Sequence, residues 1–371
     1  MIKMLIFIHS SIINEDLQSN LNAIIGINQI FESFFRGQHY VISDRQTLSH
    51  LSNNPHIPTT TKIIIKKIIA NYSTLAPIID LLKNKIIAKI NGPEFPTRSN
   101  DNEWEVSLEF LGRTGISKTN LIAENLTDVD AYINAAKHYL INNKLGGTVF
   151  AEKIAGGGST TPNVFKNQII DEKKWCLCIT DGDKNFPGQK SSNMSNSCKE
   201  ISNINNSISA HISIDAKEIE NIVPLKLIDE SIPPTHAYQW DKHKNMFFPL
   251  NINGHLFCDL KKGTKYRNIN HMHPRTPERL FWDELISKTT PPLKINKACD
   301  EYCQNEKTEA CCCYISHGYG DNLLSEIVTN LNQSNPHTVE KKIRNDPLFK
   351  QWLNIGEIVF NWVCAPKPIR L

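Results

Sequence analysis

Short apolar runs alternate with segments of helical periodicity in the first hundred residues. The run MLIFI precedes a helical pattern over residues 21–35, and the apolar runs HYVIS and KIIAKI follow further along. Apolar strands separated by amphipathic helices are typical of an α/β unit with a parallel sheet. The stretch 91–103, NGPEFPTRSNDNE, has the composition of a loop and of a domain boundary. The pattern therefore predicts an N-terminal α/β unit over residues 1–103.

The pattern becomes more regular from residue 104 onwards. WEVSLEFLG, LIAEN, GTVFAEKIA, WCLCIT and SAHISI have the length and apolar content of strands, and helical patterns cover residues 126–143 and 162–173. Strands and helices in alternation argue for a mostly parallel, doubly wound sheet. The Ser- and Asn-rich segment 184–207 predicts a mobile loop. We expect a second α/β domain over residues 104–230.

The C-terminal region, residues 231–371, has weaker patterns but ends in a clear helix. In DPLFKQWLNIGEIVFNWVC the apolar side chains recur at helical spacing, and the pattern stops before Pro366. Such a face belongs in a protein core rather than in a ligand site. We therefore expect a mainly helical C-terminal region.

Composition places the chain among ordinary globular proteins and narrows its location. It has 371 residues, 40% of them hydrophobic and 21% charged, with a net charge of +3. This length predicts two or three folding units, and the charge neither demands nor excludes a nucleic-acid partner. No stretch approaches the roughly 20 apolar residues of a membrane span. Five of the ten cysteines lie within residues 299–313, and the uneven spacing does not resemble a secreted disulfide framework. We expect a cytoplasmic protein with no membrane partner.

Acidic side chains follow two of the predicted strands at the point where each strand ends. Glu124 ends LIAEN, and Asp181-Gly182-Asp183 follows WCLCIT. Residues at the carboxyl ends of neighbouring parallel strands converge on one crevice. Carboxylates that converge there cannot all ionise without a cation, and hard oxygen ligands suit Mg²⁺ or Mn²⁺. The pattern predicts a metal site at this edge of the sheet.

These motifs resemble those of a TOPRIM domain. That fold is shared by type IA and type II topoisomerases, bacterial primases, and nucleases of the OLD (overcoming lysogenization defect) and anti-phage defence type. The family's first motif is a strand ending in Glu-Gly with an Asp four residues after the Glu, here Glu124 and Asp128. Its second motif is an Asp-x-Asp, here Asp181 and Asp183. The resemblance covers roughly residues 115–225. Asn125 stands where the family usually has Gly, and Asn tolerates a left-handed turn best among the other residues.

The resemblance implies a Mg²⁺- or Mn²⁺-dependent endonuclease that hydrolyses phosphodiester bonds in DNA or RNA, as an effector of anti-phage defence. Residues 104–230 would form the TOPRIM-like catalytic domain. Glu124, Asp181 and Asp183 would be catalytic and would bind the metal, with Asp128 supporting them. The alternative is a non-catalytic protein on a TOPRIM-like scaffold that binds nucleic acid or a partner such as an ATPase or sensor protein. An Asp-x-Asp after a strand is often only a solvated loop.

Glu218 has two interpretations. Asp215-Ala216-Lys217-Glu218 follows SAHISI with the spacing of a capping box, which predicts a helix that begins there. OLD-like enzymes also place a further acid late in the fold, and this resemblance makes Glu218 a metal ligand in preference to Glu220. Both interpretations stay open.

The loop GGGST also has two interpretations. It is not a P-loop, since no Gly-Lys-Ser/Thr follows. Its backbone N–H groups at Gly157, Gly158 and Ser159 could bind a phosphate together with Lys184, which lies beside the acids. The alternatives are a flexible turn and a solvated lysine.

The cysteine-rich segment is a candidate zinc site. Cys299 and Cys303 would share a helix face, and Cys312 and His317 lie close by in the sequence. Four such ligands could form a tetrahedral Zn²⁺ site. The segment lacks a Cys-x2-Cys pair, and free cysteines packed as small hydrophobes are the favoured interpretation.

Overall fold

The computed structural model describes residues 4–75, 84–100, 102–204, 207–248, 254–288 and 313–368. The chain divides into two units, and each is discontinuous in sequence. Unit 1 comprises Met1–Ile179, Ser197–Ile212 and Leu353–Leu371, and unit 2 comprises Thr180–Asn196 and Ser213–Trp352. This division does not coincide with the boundaries near residues 103 and 230 that the sequence suggests.

The first sheet of unit 1 has five strands in the order β2-β1-β3-β5-β4. The strands are β1 Met4–Ile8, β2 Tyr40–Ile42, β3 Asn84–Lys89, β4 Thr97–Asn100 and β5 Glu103–Ser107. β1 pairs in parallel with β2 and β3, β3 pairs in parallel with β5, and β4 is antiparallel to β5. The predicted loop 91–103 therefore contains an exposed edge strand, which its polar residues concealed.

The second sheet has four strands in the order β10-β9-β6-β8. These are β6 Asn120–Ala123, β8 Glu152–Ala155, β9 Cys176–Thr180 and β10 Ser209–Ser213. β6 is parallel to both β8 and β9, with Ile122 opposite Cys178. All five residues of β9 are buried, as expected for a strand covered on both faces. The predicted α/β class with a mostly parallel sheet is confirmed.

Two short antiparallel pairs complete the strands of the described ranges. In unit 1, β7 Thr148–Val149 pairs with β13 Cys364–Ala365. In unit 2, β11 Gly263–Lys265 pairs with β12 Tyr314–His317.

The α-helices fall into three groups. Those of unit 1 are α1 Leu21–Phe35, α2 Arg45–Asn53, α3 Thr59–Ala70, α4 Leu108–Thr114, α5 Leu126–Asn142 and α6 Thr161–Ile170. Those of unit 2 are α8 Leu225–Asp229, α9 Ala237–Phe247, α10 Tyr266–Asn270, α11 Pro277–Lys288, α12 Leu323–Gln333 and α13 Pro336–Ile343. Two helices contribute residues to both units, α7 Asn193–Ser202 and α14 Phe349–Val363.

In the part of the chain that the structure describes, six short 3-10 helices connect these elements. They are Ser10–Asn14, Leu17–Ser19, Gly158–Thr160, Ile219–Ile222, Pro234–His236 and Gly254–Phe257.

Local side-chain chemistry explains where two predicted elements differ from the structure. The segment WEVSLEFLG is a strand only as far as Ser107, whose hydroxyl accepts a hydrogen bond from the N–H of Phe110 at 3.0 Å and begins α4. The predicted mobile loop 184–207 contains α7, which buries Ser195 and Cys198, while its other residues are mostly polar and are exposed or half-buried.

The C-terminal helix α14 packs inward, as its periodicity predicts. Val359 is fully buried and Trp362 is 4% exposed. Within unit 1, Trp362 contacts Trp104 edge to face at 5.6 Å. A Cβ at Gly356 would lie 2.3 Å from the carbonyl oxygen of Ala135, so α14 and α5 approach at backbone distance. Within the described ranges, no helix combines the length and the apolar character needed to cross a membrane.

Candidate functional site

The turn after β9 has a specific backbone geometry. A Cβ at Gly182 would lie 2.2 Å from the carbonyl oxygen of Ala216 and 2.4 Å from that of Ile214, so only glycine fits. Asp183 follows in the left-handed conformation, with φ of 51°, and its N–H donates to the carbonyl of Lys217 at 2.9 Å. The Asp-x-Asp motif is thereby fixed against the segment that follows β10.

Asp181 is tied to the same segment through its side chain. Its Oδ1 accepts a hydrogen bond from the N–H of Ile219 at 3.0 Å, at the start of the 3-10 helix Ile219–Ile222. Glu218 and Glu220 flank Ile219. The turn therefore brings three carboxylates of unit 2 to one short segment.

Lys261 neutralises part of this acidic cluster, which we define as Asp181, Glu218 and Glu220. The Lys261 ammonium lies 3.1 Å from Oε1 of Glu220 and 3.5 Å from Oε2 of Glu218. The Glu220 side chain is fully buried and that of Glu218 is 19% exposed. Glu218 Oε2 is buried and receives no hydrogen bond from the described residues. A buried carboxylate is stable only with such a counter-charge.

The pKa of Glu218 and the pKa of Lys261 are both raised, but for different reasons. Burial raises the pKa of Glu218, the Lys261 charge lowers it, and the nearby Glu220 and Asp259 charges raise it again, with a net increase. For Lys261, burial lowers the pKa, but the charges of Glu220, Glu218 and Asp181 outweigh that effect and raise it. Lys261 is therefore a firmly protonated cation, while Glu218 keeps its proton at a higher pH than an ordinary glutamate.

The capping box predicted for Asp215 and Glu218 is wrong. The chain after β10 stays non-helical through Glu218, because the carbonyls of Ile214 and Ala216 pack against Gly182. The helix that follows begins at Ile219, and the N–H of Glu218 donates to Oδ1 of Asn221 at 3.0 Å. Asp215 is 84% exposed and forms an ion pair with Lys184 at 2.5 Å. The phosphate-binding role predicted for Lys184 would compete with this pair.

The first motif lies in unit 1, at the junction of β6 and α5. Asn125 is the N-cap of α5, and Asp128 Oδ2 accepts a hydrogen bond from the N–H of Asn125 at 2.9 Å, so Asp128 closes a capping box in the first helical turn. Asn125 has φ of −131°, an extended rather than the expected left-handed conformation. The pKa of the buried Cys178 thiol is raised by its hydrogen bond to Cys198 and by burial, and the negative charge of Glu124 contributes to the increase.

The glycine loop lies beside Glu124 within unit 1. The N–H of Gly157 donates to the carbonyl of Glu124 at 2.9 Å, so this N–H is not available for a phosphate. Gly157 and Gly158 both have positive φ, and Ser159 lies in the 3-10 helix Gly158–Thr160. The phosphate role predicted for Gly158 and Ser159 stays a prediction.

Most of the predicted zinc ligands lie outside the described residues. This applies to Cys299, Cys303 and Cys312. His317 is described and lies at the end of β12, where its ring stacks on Tyr314 at 4.6 Å. The neighbouring Cys313 is disulfide-bonded and so offers no thiolate to a metal.

Sequence analysis missed three residues that build the acidic cluster. Glu220 ranked below Glu218, yet it is the more deeply buried and lies closer to Lys261. Asn221 is fully buried and hydrogen-bonded on both sides. The segment KEIEN carries two of these residues, Glu220 and Asn221, at adjacent positions, but nothing in its composition indicates the lysine about 40 residues later.

The donor chemistry of the cluster fits a hard divalent cation, because every acidic side chain in it offers carboxylate oxygens. The arrangement is not that of a preformed site. Over the ranges described, no three His, Cys, Asp or Glu side chains are grouped closely enough to hold a metal ion. Lys261 is the cation that the carboxylates meet in this arrangement.

Comparison with known proteins adds no further constraint on this site. No family model matches the chain, and no curated protein and no solved structure is significantly similar to it.

Proposed function

We propose that this chain is a metal-dependent nuclease that hydrolyses phosphodiester bonds in DNA or RNA with Mg²⁺ or Mn²⁺. The observation that supports it is the acidic cluster of unit 2, where Glu218 and the fully buried Glu220 lie within 3.5 Å of Lys261 and flank Ile219, whose N–H donates to Asp181. Carboxylates held close together repel one another, and a divalent cation would offset that repulsion. The motif order that resembles TOPRIM nucleases of anti-phage defence supplies the reaction class.

In this proposal Asp181, Asp183, Glu218 and Glu220 are the metal ligands available in unit 2. Glu124 and Asp128 belong to unit 1, and their share in metal binding rests on the motif order alone. A bound Mg²⁺ supplies charge stabilisation at the phosphate and a more acidic water.

The chain's own groups would do the rest. Lys261 carries a permanent positive charge suited to a phosphate oxygen once a metal takes over its carboxylate partners. Glu218, whose pKa is raised, can accept or return a proton near neutral pH more readily than an ordinary glutamate.

The non-catalytic alternative is supported by the same lysine. If Lys261 neutralises the acids permanently, the cluster only stabilises the fold. The protein would then bind nucleic acid or a partner such as an ATPase or sensor protein without cleaving a phosphodiester bond. The absence of a preformed metal group in the described part of the chain favours this second candidate.

The test uses Asp181→Asn and Asp183→Gly. Asp181→Asn keeps an oxygen that can accept from Ile219 N–H but removes the charge. Asp183→Gly removes a carboxylate at a left-handed position where glycine is unstrained. Asp215→Asn is the matched control, since Asp215 is exposed and pairs with Lys184 instead.

We expect wild-type protein to degrade at least one of plasmid, single-stranded DNA or tRNA only with Mg²⁺ or Mn²⁺. Asp181→Asn should lower the rate by about 100-fold or more, and the control should cut normally. Mn²⁺ binding, measured by electron paramagnetic resonance, should weaken in parallel. Equal cleavage by all variants at matched thermal stability would favour the scaffold alternative.

A further inference from the structure

The side chain of Asn221 forms hydrogen bonds that connect the acidic cluster to the segment containing Lys261. It is fully buried, and its Oδ1 accepts from the N–H of Glu218 at 3.0 Å. Its Nδ2 donates to the carbonyls of His255 at 2.7 Å and of Cys258 at 2.9 Å. Both amide hydrogens are therefore used, which is the full donor capacity of an asparagine.

The segment on the far side of Asn221 leads directly to the lysine. Cys258 is followed by Asp259, whose Oδ1 accepts from the N–H groups of Lys261 at 3.1 Å and Lys262 at 2.6 Å. Asp259 N–H in turn donates to the hydroxyl of Thr264 at 2.9 Å. This series of hydrogen bonds leaves little freedom between the carbonyl that Asn221 holds and the backbone of Lys261.

A second hydrogen bond connects the same two segments of the chain. The N–H of Lys217 donates to the carbonyl of Leu256 at 2.8 Å. The hydrogen bond between Lys217 and Leu256 joins two backbones, whereas the other connection runs through the side chain of Asn221. Asn221 is also the residue whose side chain bonds the backbone of Glu218. The separation of Lys261 from Glu218 and Glu220 is therefore set by Asn221 more than by the flexible lysine side chain.

We propose that Asn221 is a positioning residue that holds Lys261 at its distance from the carboxylates and thereby sets the metal affinity of the site. The inference rests on the proposed nuclease function and deepens it. An asparagine suits this place because it offers one acceptor and two donors in a plane. An aspartate would face two carbonyl oxygens with negative charge.

The test replaces Asn221 by Ala, which removes all three hydrogen bonds, and by Ser, which keeps an acceptor but cannot reach both carbonyls. The matched control is Asp346→Ala, also in unit 2. Asp346 is buried and joins two backbone segments by accepting from the N–H groups of Lys226 and Leu348, both at 3.0 Å.

The first measurement needs neither metal nor activity. Lys261 in the full-length protein is acylated with acetic anhydride, and its modification rate is compared with that of exposed Lys288 by mass spectrometry. We expect Asn221→Ala to raise the relative rate at Lys261 by about tenfold and Asn221→Ser by less, because Lys261 is then no longer held against Glu220 and Glu218 at 3.1 and 3.5 Å. Asp346→Ala should leave the ratio unchanged.

The second measurement addresses the site itself. We expect Asn221→Ala to weaken Mn²⁺ binding by about 10- to 100-fold, as is usual when a group that orients metal ligands is lost.

The outcomes separate the two proposals. If wild-type protein neither binds Mn²⁺ nor cuts nucleic acid, the proposed function fails, while the acylation ratio still decides the position of Lys261. If the ratio stays at the wild-type value in both folded Asn221 variants, the positioning role is overturned. Unchanged Mn²⁺ affinity alongside a raised ratio overturns the link to the metal.

Discussion

Gly182 has carbonyl oxygens where any other residue would place its side chain. Those oxygens belong to Ile214 and Ala216, so the close approach is between backbones and cannot be relieved by a change of rotamer. The position of Asp181 and Asp183 depends on this contact, because both lie next to Gly182.

Gly182→Ala should therefore destabilise unit 2 and disturb the acidic cluster together. Overpacking of this kind costs about 1 to 3 kcal/mol of unfolding free energy. Urea denaturation followed by circular dichroism measures the loss. Gly188→Ala is the control, since a Cβ there meets no atom within 4 Å although its φ of +79° adds strain. A Gly182→Ala protein no less stable than the control would contradict the close approach.

Residues of the candidate site differ in how far the sequence could reveal them. Asp181 and Asp183 follow a buried strand within three residues, so a local pattern identifies them. Lys261 meets Glu220 only because two distant segments fold together, and one sequence contains no periodicity that records such a pairing. The capping-box spacing of Asp215 and Glu218 gave a wrong prediction for a related reason. The backbone contact with Gly182 keeps this segment non-helical, although its local sequence favours a helix start.

At the scale of elements, long amphipathic patterns were sufficient to locate a helix in the sequence. Short or polar patterns were not sufficient to locate a strand or a helix. The helices α1, α5 and α14 lie where their periodicity predicts, because each buries apolar side chains along three or more turns. The edge strand β4 and helix α7 were missed, since their composition is that of a loop. The predicted TOPRIM identity of the second sheet stays a proposal.

The start of α5 allows the two roles of Asp128 to be separated. Asp128→Ala removes the acceptor for Asn125 N–H and should cost about 1 kcal/mol of stability. Asp128→Asn keeps an acceptor oxygen and loses the charge, so its stability should stay near that of wild type. Thermal melts of both variants check this, and Mn²⁺ binding by Asp128→Asn then reports on the predicted metal role alone. Equal destabilisation by both changes would show that the charge, and not the cap, stabilises the helix.

At the scale of the whole molecule, several histidines are buried in the neutral state. Burial lowers the pKa of His39 and of His138 to about 4, and that of His255 to about 3. His243, which shares a 2.8 Å hydrogen bond with His255, has its pKa lowered well below the ordinary value by burial and by that neighbour. Charging any of them in the folded state is unfavourable.

The protein should consequently lose stability as the pH falls below about 6.5, the pKa of histidine in the unfolded chain. Between that pH and about 4 the unfolded state binds more protons than the folded state, so unfolding becomes more favourable. His39→Gln should reduce the slope of melting temperature against pH, because one histidine contributes up to about 3 kcal/mol at about 1.4 kcal/mol per pKa unit. A melting temperature that is constant from pH 7.5 to 4.5 would contradict this account.

The discontinuity of unit 1 has a consequence for synthesis of the protein. The helix α14 that covers Trp104 and α5 is followed by β13, the partner of β7, and both are translated after the other segments of unit 1. About 174 residues separate Ile179 from Leu353, which a ribosome adds in roughly 10 to 35 s at about 5 to 20 residues per second. Throughout that interval the nascent chain presents an uncovered apolar surface, so its yield in the cell should depend on chaperones that bind emerging chains.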